Sequence, residues 1–247
     1  MFELHTLIIA FCLFLGAILY TSVGHAGASV YIAVMTFFDL PPQVIKPTAL
    51  TLNIAVSSLT SWRYIRKGFF KKRLFIFLII GAVPAAYVGG HINLPSHIYK
   101  PIIGVLLLFS GVHFIMQAQR VERTPREIVP AFAIFLGAAI GMLSGITGTG
   151  GGIFLSPIII WLGWSTTKQT SGTVSAFIFL NSIAGLLGNF RSTSSLPPTL
   201  PVFLSAVILG ALVGTRIGTT RFSHVGIKRA LGCVLLVAGA KFLLTAF

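Results

Sequence analysis

Long uncharged apolar runs follow one another along this chain, and they constrain its fold more than any single motif does. Several approach the roughly 20 residues that an α-helix needs to cross a bilayer. Only 9% of the 247 residues are charged, whereas a soluble domain carries about 25%. The alternating polarity of a membrane β-barrel is not seen. The sequence therefore predicts an all-α polytopic membrane protein.

Apolar runs and helix breakers divide the chain into ten predicted helical pieces. The ten pieces are 4–22, 27–38, 44–62, 74–92, 98–117, 128–146, 151–164, 170–189, 200–220 and 226–246. The second and seventh pieces would be only about 18–21 Å long, at 1.5 Å per residue. Non-helical backbone at membrane depth is tolerated only where it is buried in protein or lines a cavity. The breaks before these two short pieces therefore indicate a cavity.

The two halves of the chain resemble copies of one another. A shift of 124 residues places Gly24 on Gly148 and Gly27 on Gly151, and each pair precedes a short helical piece. Repeats with broken helices are common in secondary transporters, which bind substrate where the repeats meet. The predicted domains are a first membrane repeat at 1–117, a cytoplasmic linker at 118–127 and a second membrane repeat at 128–247.

The basic residues give the predicted repeats an orientation. The chain has 18 Lys and Arg against four acidic residues, and they cluster in short loops as cytoplasmic loops do. We therefore predict a bilayer rather than a nucleic acid as the partner of this charge. The stretches predicted to be cytoplasmic are 63–73, 118–127 and 216–229. In the other half, stretch 190–199 matches 63–73 and stretch 91–100 matches 216–229. Both of these matching stretches are poor in Lys and Arg.

Equivalent loops thus carry opposite charge bias, which predicts two inverted repeats of about four to five membrane helices each. Both termini then fall outside a cell membrane that the chain crosses many times. Both termini also fall outside if each short piece and its predecessor form a re-entrant hairpin instead of crossing the membrane separately. The sequence leaves both arrangements open.

The two glycine-rich breaks are the candidate binding elements. Glycine lets the backbone turn tightly and approach a ligand, and the free N–H groups of a helix that starts there suit an anion. The alternative is close helix packing, which small residues permit in membranes. His25 could also titrate during transport or simply pack. The candidates in the breaks are Gly24, His25, Gly27, Ser29, Thr147, Gly148, Thr149, Gly150, Gly151 and Gly152.

The helix after each short piece is rich in Ser, Thr and Asn, which could replace the hydration shell of a substrate. Thr51 and Ser58 lie seven residues apart and hence on one helical face; Ser175 and Asn181 are the candidates in the other half. These side chains could instead bond their own backbone or join helices, at about 0.6 kcal/mol each. Arg216 is a candidate partner for an anion, unless it extends to the membrane surface.

Other functions lack the residues that they need. No predicted helix has a carboxylate in its middle, which argues against a cation carrier and against an Asp or Glu proton relay. We find no nucleophile with a base and no metal-ligand spacing among the His residues. The glycine run lacks the Gly-Lys-Ser/Thr ending of a phosphate-binding loop. We therefore predict that the protein is not an enzyme and has neither a cofactor nor a metal site.

The pattern resembles the sulfite exporter TauE/SafE family. The resemblance rests on the Gly148–Gly152 run with Pro157 five residues later, and on the polar helix through Asn181. It rests also on the weaker copy at Gly24–Ser29 and on Lys-x3-Gly-x6-Gly endings at Lys100, Gly104, Gly111, Lys228, Gly232 and Gly239. The resemblance implies a membrane carrier of sulfite, sulfonates or related anions, with Gly148, Gly150, Gly151, Gly152 and Pro157 on the family motif. The first half departs from it at His25–Ala28.

The sequence as a whole predicts a secondary transporter of a small sulfur-containing oxyanion in the plasma membrane. Export is favoured because an inside-negative potential drives anion exit by about 2.3 kcal/mol per charge per 100 mV. The predicted partners are the small anion, the bilayer and, in a homo-oligomer, further copies of the chain. The alternatives are a carrier of another substrate, such as a carboxylate or a metal ion, and a membrane-embedded assembly protein whose glycines serve only packing.

Overall fold

The computed structural model describes residues 4–117, 126–219 and 224–244, and these are almost entirely helical. Their α-helices are α1 (Leu4–Ser22), α2 (Ala28–Phe37), α3 (Pro42–Arg66), α4 (Lys72–His91), α5 (Ser96–Gln117), α6 (Pro130–Thr147), α7 (Gly152–Leu162), α8 (Thr167–Gly188), α9 (Leu200–Thr219) and α10 (His224–Leu244). A short 3-10 helix, Phe190–Ser195, follows α8. The all-α prediction is confirmed, and each predicted piece corresponds to one of these helices.

Two predicted cytoplasmic stretches lie partly outside the described residues. These are positions 118–125 of the linker, with Arg120 and Arg123, and positions 220–223 of the last connection, with Arg221. Within the described part, α1, α4, α6, α8 and α9 are long and apolar enough to cross a membrane. Helix α3 has 25 residues but is less apolar than these five helices, because it contains the Ser, Thr and Asn side chains described above. The chain is therefore a multi-pass membrane protein.

Glycine and proline fix the ends of the helices around the second break. Helix α6 begins at Pro130, whose missing N–H costs nothing at a helix start, and its C-terminal cap is Gly148 with φ 80°. Helix α7 begins after Gly151 and ends at Gly163, with φ 78° and 70°. These left-handed conformations favour glycine. The sequence therefore encodes an abrupt interruption between two helices.

Each short helix turns back, so that its end lies near the start of the helix before it. The His5 ring near the start of α1 lies 5.1 Å from the Phe38 ring just after α2. In the second half, the Arg126 N–H donates to Gly163 O at 2.6 Å, so the chain before α6 meets the end of α7. Pairs α1–α2 and α6–α7 are thus hairpins, with a glycine-rich break at each tip.

Helices from the two halves pack on one another through glycine. Helix α6 contacts α4, where Gly137, Gly141 and Gly145 lie directly against the backbone carbonyls of Leu78, Ala82 and Ala86. Helix α9 contacts α1 in the same way, with Gly210, Gly214 and Gly218 against the carbonyls of Phe14, Ile18 and Ser22. Small residues allow this close approach of membrane helices. The packing interpretation thus holds for the glycines inside these helices.

The remaining large contacts pair α5 with α10, α4 with α8 and α3 with α8, and a smaller contact pairs α3 with α9. Exchanging the halves converts α4–α6 into α9–α1 and the larger α4–α8 contact into the smaller α9–α3 contact, and it leaves the α3–α8 and α5–α10 pairs unchanged. The opposite orientation of the halves in the membrane stays a prediction. Helix α8 is the most enclosed of the five candidate spans, so the polar α3–α8 pair lies in the interior and α4, α6 and α9 lie outside it.

The two breaks lie toward different ends of the bundle. We call the end that holds Arg63, Arg66, Lys67, Lys71 and Arg216 the basic end. The first break lies near it, because Ser171 Oγ in the second turn of α8 donates to Val23 O at 2.8 Å. The second break lies toward the opposite end, where Tyr99 OH of α5 donates to Thr147 O at 2.9 Å.

Candidate functional site

The second break forms a buried turn that only glycine fits. Gly148, Gly150 and Gly151 have φ of 80°, 74° and 78°, and all three are buried. A Cβ on Gly150 would lie 2.5 Å from Asn53 Nδ2, and one on Gly151 would lie 2.8 Å from Ile140. The backbone therefore comes within contact distance of the polar α3–α8 pair, which a side chain at Gly150 would prevent.

Asparagines from the central helices α3 and α8 meet at Gly150. Asn181 Nδ2 lies 3.5 Å from Gly150 O, and Asn53 Nδ2 lies 3.4 Å from Ser182 Oγ. These distances are at the long limit for hydrogen bonds, and the three side chains are fully or almost fully buried. The structure thus joins Gly150 and Asn181, both sequence candidates, to Asn53 and Ser182 in one polar cluster.

Several polar groups in this cluster have no hydrogen-bond partner within the described part of the chain. They are Oδ1 of Asn53, Oδ1 of Asn181 and the Ser144 hydroxyl. Ser144 is adjacent to Gly151, since a Cβ on that glycine would lie 3.3 Å from Ser144 Cβ. Leaving a buried polar group unsatisfied costs about 1–3 kcal/mol. Such a cluster is therefore typical of a ligand site rather than of a packed core.

The N-terminus of α7 faces this cluster. The Phe154 and Leu155 N–H groups already donate to Gly151 O, at 3.2 and 3.1 Å. The amides of Gly152 and Ile153 come before them, and an α-helix supplies no acceptor for such groups. With the partial positive charge of the helix dipole, this end of α7 provides donors for an anion.

The two threonines of the break hold its turn together. The Thr147 hydroxyl donates to Leu143 O at 2.7 Å and lies 2.9 Å from Thr149 Oγ1. Gly148 N–H donates to Ser144 O at 2.7 Å. Thr147 and Thr149 therefore stabilise the turn from within, which is a different task from the ligand contact that the sequence predicted for them.

The first break also turns at buried glycines with positive φ, but its contacts differ from those of the second. Gly24 and Gly27 have φ of 82° and 108°; a Cβ on Gly24 would overlap Ser171, and one on Gly27 would lie 2.8 Å from the Tyr31 ring. His25 Nε2 is 2.8 Å from Ser156 Oγ of α7. The structure thus links His25 to the second half through α7, while Ser29 is buried in the first turn of α2.

A buried lysine that the sequence analysis did not single out lies beside the second break. Lys46 Nζ on α3 donates to the carbonyls of Gly90 and Ile92 at the end of α4, at 3.1 and 3.0 Å. A Cβ on Gly148 would lie 3.1 Å from its side chain. Lys46 also lines a cavity of about 380 Å³ that includes Tyr99 and Asn189. The sequence did carry a signal for Lys46, since an ionisable residue within a predicted membrane helix indicates a functional position.

The other predicted path residues are scattered. The Thr51 hydroxyl donates to Pro47 O at 2.9 Å, and the Ser175 hydroxyl donates to Gly172 O at 3.0 Å. Ser58 is exposed and bonds Ala55 O at 2.8 Å. Arg216 is exposed at the basic end, in a cleft that contains none of the glycine-break residues. The hydroxyls of Thr51, Ser58 and Ser175 thus bond carbonyls of their own helices, and Arg216 lies in a separate cleft.

A signal for Asn53 was present in the sequence. The shift of 128 residues that aligns the chain ends also places Asn53 on Asn181, and these are the two asparagines that meet at the break. In the described residues, no three His, Cys, Asp or Glu side chains are grouped as metal ligands would be. The cluster consists of neutral donors and acceptors around a helix N-terminus, which can bind a small anion without burying a counter-charge.

The fold and this buried polar cluster together define a polytopic α-helical membrane protein with a candidate solute site. The family model for "Sulfite exporter TauE/SafE" matches residues 8–242. The chain belongs to this family, and it is a membrane transporter.

Two relatives carry names of the same kind. The chain is 38% identical, over 95% of its own length and 97% of the relative's, to "Probable membrane transporter protein y4hK" of Sinorhizobium fredii (strain NBRC 101917 / NGR234). It is 21% identical, over 74% and 72%, to "Probable membrane transporter protein YunE" of Bacillus subtilis (strain 168). No solved structure gives a significant match. These names indicate a transporter rather than an enzyme.

Proposed function

We propose that this protein is a secondary transporter that exports a small sulfur-containing oxyanion, such as sulfite or an organosulfonate. The observation that carries the proposal is the buried cluster at the N-terminus of α7, where Gly150 contacts Asn53 and Asn181. The family name supplies the sulfur-containing anion, and the hydrogen-bond donors of the cluster suit an oxyanion.

The cluster offers an oxyanion hydrogen-bond donors from three sources. These are the first amides of α7, the Asn53 and Asn181 Nδ2 groups and the Ser144 hydroxyl. An oxyanion accepts at every oxygen, so one ligand can accept from donors that converge from α3, α6, α7 and α8. A protonated oxyanion such as hydrogensulfite can also donate to the unpartnered Oδ1 atoms of Asn53 and Asn181. None of the donors in the cluster is a charged side chain, so the site holds no buried charge when it is empty.

Export from the cell follows from the charge of the substrate. A plasma-membrane potential that is negative inside drives an anion outward by about 2.3 kcal/mol per charge per 100 mV. In this proposal the basic end faces the cytoplasm, both termini lie outside, and one half moves against the other. The central pair α3–α8, which joins the halves at the cluster, would change its contacts during this motion.

Transport by proteoliposomes tests the proposal. Purified protein should carry radiolabelled sulfite or an organosulfonate across the vesicle membrane, and Asn181→Asp should reduce the initial rate by about tenfold or more. The reason is that two like charges 4 Å apart repel by about 4 kcal/mol at an effective dielectric constant of 20, and 1.4 kcal/mol already corresponds to tenfold. The matched control is Gln169→Glu, the same amide-to-carboxylate change in the first turn of the same helix.

Three outcomes would contradict the proposal. Wild-type vesicles that carry no sulfur-containing anion would contradict the substrate, and flux of carboxylates alone would assign another substrate class. Full activity of Asn181→Asp would remove the Gly150 cluster from the pathway. Gln169→Glu should keep its rate, because a negative charge at a helix N-terminus is favourable and this residue lies at the basic end.

A further inference from the structure

A cleft at the basic end contains four cationic residues that the proposed transport site does not use. Its volume is about 650 Å³. It lies between the last turns of α3 and α9. The residues that line it are Trp62, Arg63, Arg66, Lys67, Arg216 and Thr219. We call this the basic cleft. It contains Arg216, which the sequence analysis singled out as a partner for an anion.

Two of the arginines in the basic cleft are held in place. The Arg63 guanidinium donates to Leu212 O at 2.8 Å and to Thr215 Oγ1 at 2.5 Å, which ties α3 to α9. The Arg66 guanidinium lies 4.2 Å from the centre of the Trp62 ring, a cation–π contact. A planar guanidinium fixed in this way is suited to bidentate binding of a phosphate. Ordering these side chains in advance lowers the entropy cost of binding.

The charge of the basic cleft has no acidic counterpart in its lining. Among the described acids, Asp39 is 3.5 Å from Lys241 Nζ, and Glu127 precedes α6; neither lines the cleft. Four like charges around one cleft repel one another, and an anion among them removes that repulsion. The charge pattern therefore indicates an anionic ligand.

The surface next to the basic cleft indicates what kind of anion this is. Helix α9 presents exposed apolar side chains one to two turns from Arg216, at Leu209, Leu212 and Val213. On α3, Trp62 and Ile65 are also exposed. Since α9 is a candidate membrane span, its exposed apolar side chains are suited to contact acyl chains. A ligand with a negative head and apolar tails matches both surfaces, whereas a free inorganic anion would match only the first.

We propose that the basic cleft binds the phosphate headgroup of an anionic phospholipid from the cytoplasmic leaflet. The phosphate contacts Arg66, Lys67 and Arg216, and the acyl chains lie along Leu209 and Val213. Basic pockets between membrane helices on the cytoplasmic side bind anionic headgroups in this manner. The bound lipid would stabilise the α3–α9 contact that Arg63 makes, and the proposal does not depend on which solute is transported.

Lipid titration of the purified protein in detergent tests the proposal by native mass spectrometry and by thermal unfolding. Phosphatidylglycerol should bind more tightly than phosphatidylcholine and should raise the Tm. The variant Arg66→Gln/Lys67→Gln should bind phosphatidylglycerol about tenfold or more weakly. The matched control, Lys72→Gln/Arg73→Gln, removes the same charge six residues further along, outside the cleft.

The results that would overturn the proposal are equally specific. Equal binding of phosphatidylglycerol and phosphatidylcholine excludes an anionic headgroup site. Equal loss in the control variant means that diffuse charge, and not the cleft, binds the lipid. Pyrophosphate that displaces phosphatidylglycerol and raises the Tm to the same extent would assign the cleft to a soluble phosphate. Because the double variant could unfold for other reasons, the exposed Arg216→Gln is measured beside it and should weaken binding in the same direction.

Discussion

Glycine serves two purposes in this chain, and the backbone angles separate them. In the breaks, Gly24, Gly27, Gly148, Gly150 and Gly151 all have positive φ. In α4, α6 and α9 the glycines are helical and make room for a neighbouring carbonyl. The sequence analysis treated close packing and a binding site as rival interpretations. Close packing holds for the helical glycines, and the binding role of the glycines in the breaks stays a proposal.

Gly150 provides a test of the contact with Asn53. Gly150→Ala places a Cβ in a left-handed conformation and against Asn53 Nδ2, whereas Gly68→Ala has the same backbone strain, at φ 77°, with open space around it. We expect Gly68→Ala to lower the free energy of unfolding by about 1–2 kcal/mol. Gly150→Ala should lose a further ~1–3 kcal/mol together with transport, measured by denaturation in detergent and by vesicle flux. Equal losses would contradict a close contact at Gly150.

Lys46 is predicted to stabilise the end of α4. Lys46→Met removes a cation from the C-terminal carbonyls of Gly90 and Ile92 and should lower the free energy of unfolding by about 1–3 kcal/mol. Lys72→Met removes a cation from the first turn of the same helix, where positive charge is unfavourable, and should be neutral or slightly stabilising. Thermal unfolding in detergent compares the two variants. A similar Tm for both would mean that the Lys46 contacts contribute nothing.

At the scale of elements, the hairpins are the feature that the sequence left open. Breakers at the ends of α2 and α7 showed that these pieces are short, but no local signal gives their direction. The direction is set by contacts between distant residues, such as the His5–Phe38 ring pair and the bond from Arg126 to Gly163. The helices were therefore predictable from local patterns, and their pairing was not.

The close contact between α4 and α6 predicts that Gly141 does not tolerate an added methyl group. A Cβ at Gly141 would overlap the carbonyl of Ala82, whereas a Cβ at Gly185 of α8 has its nearest neighbours at 3.6 Å. Gly141→Ala should lower the free energy of unfolding by about 1–3 kcal/mol. Gly185→Ala should be neutral or stabilising by up to about 1 kcal/mol, because alanine favours a helix. Denaturant titration of both variants checks this, and a stable Gly141→Ala would rule out tight packing there.

At the scale of the whole molecule, the predicted topology can be measured directly. Exposed Gly68 lies in the loop at the basic end, and exposed Asn93 lies in the loop after α4, at the other end. In a protein with Cys12 and Cys233 replaced by Ser, Gly68→Cys should react with an impermeant maleimide only in inside-out vesicles. Asn93→Cys should react only in intact cells or right-side-out vesicles. The reverse result would place the basic end outside, and labelling of both from one side would contradict a membrane-crossing α4.

The sequence by itself determined the properties that depend on local order along the chain. Uncharged runs fixed the class of protein, breakers fixed the helices, and the glycine motif around Gly150 indicated the family. These properties follow from solvation and backbone conformation, which act residue by residue.

Only the tertiary structure decided which polar residues share a site. It joined Asn53 and Asn181 at Gly150, placed Lys46 beside the second break, and put Arg216 in the basic cleft and Ser58 on an exposed face. The physical reason is that helix faces one hundred residues apart in sequence become neighbours only through packing. In this chain that packing is set by glycine–carbonyl contacts such as those between α4 and α6.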